Sequence, residues 1–308
     1  MRALELIGQA VSVGENSNLF VLRLIPRVLE SVLGFALRED IAAPRIKAWI
    51  VRYRIAPGPD APESWPWPVR LYVLGGLRVV CRDQPLQFKR KAPQKPLELL
   101  VLLAAAGPGG LTSRAIADRM WPDLEADAAA VNVDTNVYRL RKLLGVEDAL
   151  ISAQGRVALN ATRCWVDAWT FERLASQCLQ ARGDGLIERA REALALYKGP
   201  LLDHEGEQPW ALTFRQQLTR RMTQLAEYAG RVLEESGDRA AAIELYQRSL
   251  VLDNLAEPIY RRLIACLKDA GEAAEALQVY RRCRELLSAV LGVQPSKETQ
   301  ALAETLRQ

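Results

Sequence analysis

Between residues 132 and 142 the chain reads NVDTNVYRLRK, and its apolar positions Val133, Val137, Leu140 and Leu144 recur at i, i+4, i+7 and i+11. That spacing predicts a helix with one buried stripe. The opposite side then carries Asn132, Thr135, Asn136, Arg139 and Lys142, with Tyr138 and Arg141 at its flank. These side chains do not break bonds. They hydrogen-bond: an arginine fork pairs with a guanine edge, an asparagine amide with an adenine edge, and lysine with phosphate oxygens. A B-DNA major groove about 12 Å wide admits one α-helix, and each well-aligned bidentate pair contributes about 1–3 kcal/mol of discrimination. On this reading Asn132, Thr135 and Arg139 are candidates for base edges and Lys142 for a phosphate. Asp134 would be repelled by phosphates unless it accepts from cytosine or is held by a neighbouring basic side chain, and the sequence leaves both open. A polar basic stripe is also what an ordinary solvated helix face looks like, so the surrounding elements must decide.

The elements before and after this helix point the same way. Val69 to Val80, VRLYVLGGLRVV, predicts a strand with a bulge at Gly75 and Gly76 or two short paired strands, and Pro85 to Phe88 a third. Helices are expected over Pro93–Ala106, Thr112–Met120 and about Ala126–Leu144, the last ended by Gly145. The 129–144 part carries the polar face. Leu150 to Leu159 has two short apolar runs around Gln154 and Gly155, a hairpin pattern. Strands, three helices, then a hairpin is the order of a winged helix-turn-helix. Around it Lys89, Arg90, Lys91, Lys95, Arg114 and Arg156 are candidate phosphate contacts, setting affinity and salt dependence rather than sequence choice.

Residues 1–56 have helix-like apolar spacing (Leu19, Leu22, Ile25, Val28, Leu29, Val32, Leu33) interrupted by Pro26 and Pro44, too little for an independent domain. Residues 57–68, PGPDAPESWPWP, hold proline at five of twelve positions and are expected to be an extended linker. The winged helix then occupies 69–165. From 166 to 308 the chain is almost purely helical, and Gly237, Ala242 and Tyr246 repeat as Gly271, Ala276 and Tyr280 at an offset of 34 residues. A turn glycine, an alanine where helices cross and a tyrosine four residues on, at that period, match the tetratricopeptide repeat. A third, less regular copy surrounds Ala190, Leu194 and Tyr197.

Charge follows the same division. Residues 69–165 hold fourteen Lys and Arg against nine Asp and Glu, although the whole chain is only +4. The five cysteines are scattered without a Cys-x-x-Cys spacing, the single histidine, His204, reads as a loop residue, and the GPGG at 107–110 lacks the lysine of a phosphate-cradling loop. No catalytic residues, metal or cofactor are expected. No apolar run is long enough for a membrane span and no secretory leader is present, so no membrane contact and a cytoplasmic location are expected.

VRLYVLGGLRVV, FKRKAPQKPLELLVLLAAAG, SRAIADRMWPD and VNVDTNVYRLRKLLG together resemble the winged-helix domain of SARP-type, antibiotic-regulatory-protein-like activators. WVDAWTFERL, ALALYKGPLL and the run from Ala256 to Thr299 resemble the bacterial transcriptional activator domain that accompanies it. The middle domain is also similar to response-regulator winged helices. That resemblance implies that Asp134, Thr135 and Arg139 face bases while Asn136, Tyr138 and Arg141 approach phosphates. The chain departs from the pattern with Asn136 and Tyr138 where basic residues are frequent, and it has no receiver domain, so phosphorylation control is not implied. The first 68 residues resemble the tail of a helical-repeat region in much larger regulators that carry an NTPase module, of which this chain would be the C-terminal portion.

The expected fold is mainly α: a response-regulator-type winged helix-turn-helix with small β-sheets, followed by an α-helical tetratricopeptide-like domain. The expected function is sequence-specific regulation of transcription, with double-stranded DNA as partner and the C-terminal helices available for RNA polymerase or for a homodimer. A dimer would read half-sites roughly 34–36 Å apart. The rival is a tetratricopeptide-type protein-interaction scaffold that does not read DNA.

Overall fold

The computed structural model describes residues 26–88, 92–180, 185–201 and 209–306. The chain divides into two compact units: residues up to Leu71 with Arg78–Trp165, and Tyr72–Leu77 with Val166 onward.

In the first unit, helices α1 (Pro26–Arg38) and α2 (Ala43–Tyr53) precede the sheets. Leu29, Leu33, Ala36 and Leu37 form the buried stripe of α1, and Ile46 and Ile50 that of α2. Pro26 and Pro44 do not interrupt these helices. Each lies in a first turn, where proline's missing N–H is not needed. Residues 57–68 are not an extended linker either. Trp65 and Trp67 are buried, Trp67 Nε1 donates to the Pro62 carbonyl at 2.8 Å, and Ser64 Oγ donates to the Leu37 carbonyl at the end of α1. Two indoles carry enough apolar surface to hold a proline-rich stretch against a helix.

Four strands follow in the order β3-β2-β1-β7, with β1 Val69–Tyr72, β2 Arg78–Cys81, β3 Gln84–Pro85 and β7 Cys164–Val166. Arg82 and Asp83 both have positive φ, the geometry of a two-residue hairpin turn, and pair Cys81 with Gln84. This tight turn starts the third strand one residue before Pro85 and ends it there, well short of Phe88. Helices α3 (Gln94–Ala106), α4 (Ser113–Met120) and α5 (Ala126–Leu144) form the core of the unit. Thr112 caps α4 by accepting from the Ala115 amide, and Gly145, in the left-handed region, ends α5. A second sheet, ordered β4-β6-β5, joins β4 (Leu111–Thr112) to the hairpin of β5 (Leu150–Ala153) and β6 (Arg156–Leu159), which is the wing.

The second unit stacks α6 (Asp167–Gln180), α7 (Leu186–Leu196), α8 (Pro209–Glu235), α9 (Arg239–Leu252), α10 (Glu257–Asp269), α11 (Ala273–Leu286) and α12 (Lys297–Glu304), with a π-turn at Leu287–Leu291. The 34-residue repeat is physical: Gly237 and Gly271 end α8 and α10 with φ of 85° and 82°. Ala242 and Ala276 are fully buried, and Tyr246 and Tyr280 are buried beside them. Gly230 makes room for Tyr246, because a Cβ there would overlap the tyrosine ring. The Tyr246 hydroxyl donates to Glu234 at 2.6 Å, and Arg262 bonds the other carboxylate oxygen at 2.5 Å, so one acid links α8, α9 and α10. In the third copy Ala190 is buried in α7, but Tyr197 falls just past the helix end and bonds Thr219 of α8.

Asp167 is 2 % exposed, and its carboxylate accepts from the amides of Val73, Leu74 and Ala168 at 2.7–3.0 Å. It thereby incorporates the 72–77 segment into the helical unit, where Leu74 also bridges to Leu201. Removing it leaves buried N–H groups unpaired at about 1–3 kcal/mol each. Asp167→Ala is therefore expected to destabilise the helical unit by about 3 kcal/mol in urea denaturation of the full chain; a loss below about 1 kcal/mol would assign the amides to other acceptors. Farther along, Glu257 holds α12 by accepting from the Ser296 amide and the Thr299 hydroxyl. Burial pushes its carboxyl up, but these bonds outweigh burial and hold it below the usual glutamate value of 4.5. Its stabilising contribution is thus complete above that value and lost as pH falls through the lowered one. Glu257→Gln is expected to flatten the acid limb of the stability profile, measured by thermal melting from about pH 3 to about pH 6, where carboxylates titrate.

Candidate nucleic-acid interface

Helix α5 is held by the predicted stripe: Val133, Val137, Leu140 and Leu144 are all buried, and Ala129 extends the stripe toward the N-terminus. Its outward face presents Asp134, Tyr138, Arg139 and Lys142, all exposed, with Asn132 and Thr135 half-buried at its edge. Arg139 and Asp134 make no hydrogen bond or ion pair with any described residue, so among described residues no basic neighbour holds the Asp134 carboxylate. Lys142 sets its ammonium 4.6 Å from the centre of the Tyr138 ring, which keeps both side chains on the outer face.

Asn136 is the exception. It is 4 % exposed, and its Nδ2 donates to the Asn132 carbonyl one turn back at 2.8 Å, so it does not reach the outer face and cannot approach a phosphate. Asn136 lies one residue before the buried Val137, and its short side chain donates to its own helix while its Oδ1 is buried without a partner among the described residues.

The other basic candidates divide by what already holds them. Arg141 donates to Ser152 Oγ at 2.7 Å and ties the last turn of α5 to β5 of the wing. Lys95 pairs with Glu98 at 2.9 Å, beside the Trp121 ring. The Arg156 guanidinium donates to the Gly109 and Gly110 carbonyls at 2.9–3.2 Å, fastening the wing to the turn before β4. Arg114 is exposed in the first turn of α4. Lys89, Arg90 and Lys91 lie outside the described residues.

One residue of the face was not found by periodicity. Val131 is 66 % exposed, one turn before Asp134 and Thr135, with Asp127, Ala128 and Ala130 also exposed around it. A valine counts toward any apolar stripe, and only its offset from Val133 and Val137 signals that it faces out. Nucleophilic chemistry finds no support among the thiols: burial pushes Cys164, Cys266 and Cys283 up to about 12.

Fold and face define a winged-helix protein whose C-terminal part is a tetratricopeptide-like helical domain. Residues 166–307 match the family model of the bacterial transcriptional activator domain. The chain is 29% identical over 250 residues to the regulatory protein AfsR of Streptomyces griseus, an alignment covering 77% of this chain and 24% of that protein. It is 23% identical over 236 residues to the regulatory protein DnrI of Streptomyces peucetius, covering 69% and 84%. The solved structure of Mycobacterium tuberculosis EmbR in complex with a low-affinity phosphopeptide has the same fold, with a TM-score of 0.60 at 20% identity over 78% of this chain and 65% of that one. Residues 166–307 therefore form a bacterial transcriptional activator domain, and over its matched length the chain is similar to regulators of the SARP type. It spans about a quarter of the length of AfsR.

The wing's placement can be tested at two neighbouring glycines. Gly110 has φ +59°, and a Cβ there would overlap the Val157 carbonyl and Ala158 on β6, whereas nothing lies within 4 Å of a Cβ at Gly109. Gly110→Ala is expected to lower stability by about 2 kcal/mol or more, from the left-handed backbone and the clash together. Gly109→Ala should be near neutral in the same thermal melt, and equal losses would show that the clash with β6 is not the cause.

Proposed function

We propose that this chain is a sequence-specific DNA-binding transcription regulator, an activator, that lays α5 in the major groove. The observation that carries the reading is the pairing of a fully buried stripe on α5 with an outer face whose Arg139 and Asp134 have no partner among the described residues. A side chain that is ordered by its helix but uncommitted is free to bond a base edge. Arg139, Thr135 and Asn132 then read bases, and Asp134 accepts from a cytosine amino group. Lys142, Tyr138 and Arg114 reach phosphates, with Lys89, Arg90 and Lys91 as further candidates from sequence alone. The similarity to SARP-type regulators supports regulation of transcription, and binding chromosomal DNA would put the protein in the cytoplasm. Among the described residues no helix is long and apolar enough to cross a membrane.

The helical domain supplies a surface for RNA polymerase or a second copy of the chain. A groove of about 620 Å³ lined by Leu194, Tyr197, Leu245 and Val251 favours a protein-docking role for that part, which would stand even without DNA reading.

The test is selection of the full chain on randomised duplex DNA, in parallel with an Arg139→Ala, Thr135→Ala variant. Wild type is expected to enrich a recurrent motif, and the variant to lose discrimination of about 1–3 kcal/mol at the bases these side chains face. Absence of enrichment by wild type would move the function to the helical domain alone.

A further inference from the structure

Val131 is not held in place by core packing. It is 66 % exposed on α5, so it buries little surface, and a β-branched residue on an exposed helical position is a poorer helix former than alanine. The residues around it at 127, 128 and 130 are also exposed, so no neighbouring side chain of the helix covers it. Its position is specific. It precedes Asp134 and Thr135 by three and four residues, which places it on the same surface ridge, and it lies in the N-terminal half of the helix. Recognition helices direct their N-terminal residues at base edges, and in the major groove only thymine offers an apolar feature, the C5 methyl, which bonds to no hydrogen-bonding group and is read by apolar contact.

We infer that Val131 is a specificity-determining residue whose isopropyl group packs on the C5 methyl of a thymine, favouring thymine at one position of the DNA site beside the bases read by Thr135 and Arg139. The inference rests on the reading of α5 as the groove helix. Replacing thymine by uracil removes the methyl and leaves every Watson–Crick and O4 group in place, so it isolates the contact from hydrogen bonding.

The experiment takes a duplex enriched by the full chain from randomised DNA and substitutes deoxyuridine for each thymine in turn. With wild type, one substitution is expected to weaken binding about fourfold, the effect of one buried methyl-sized group. Val131→Ala, which favours the helix, should bind the thymine duplex about fourfold more weakly, with a melting temperature no lower than wild type, and be insensitive to the same substitution. If no thymine is sensitive, or if Val131→Ala keeps the wild-type sensitivity, the assignment is overturned while the DNA reading stands. If wild type enriches nothing from the pool, the groove reading falls and the assignment with it.

Discussion

The rotation of α5 about its own axis is set by Val133, Val137, Leu140 and Leu144, and the whole candidate interface follows from it. A helix has no other way to choose which side faces out. Burying these four apolar side chains leaves the adjacent positions no freedom: Arg139 and Lys142 must point away from the core, and Asn136, next to Val137, must point toward it. A change of about 100° in that rotation, one residue's worth, would bury the arginine and expose the valines. The polar outer face is thus a by-product of ordinary hydrophobic burial.

That constraint explains both what the sequence made legible and where it failed. The stripe, the ending Gly145 and the 34-residue repeat all carry a fixed period or a local signal, and each is found where expected. Asn136 and Val131 are less legible, because polarity is a poor proxy for exposure. Asn136 donates its amide N–H within its own helix and is buried, its Oδ1 without a partner among the described residues, and Val131 is apolar without belonging to the core. Pro26 and Pro44 were read as interruptions because a proline at a helix start and one in a break look alike without caps. The packing of Trp65 and Trp67 depends on contacts that local composition does not encode.

The excess of positive charge in the winged helix also overstates what it offers to phosphates. Arg156 and Arg141 fasten the wing, Arg82 donates to the Gly145 carbonyl, and Arg70 and Arg163 pair with Asp83 and Asp148. These cations act as struts. Their loss would disturb the placement of the exposed α5 side chains rather than remove a free cation, and the distinction is invisible in a net charge.

The helical unit contains six residues that the chain lays down almost a hundred positions earlier, Tyr72–Leu77, held by the Asp167 carboxylate. A ribosome therefore completes part of this unit before it begins the rest, and the segment must wait, its amides unpaired, until Asp167 has emerged. A recombination joint at residue 166 would transplant the activator domain with three backbone-binding oxygen contacts empty, so the physical module and the linear module have different borders. Inheritance of the two parts as a single block is the cheapest way for such a chain to remain whole.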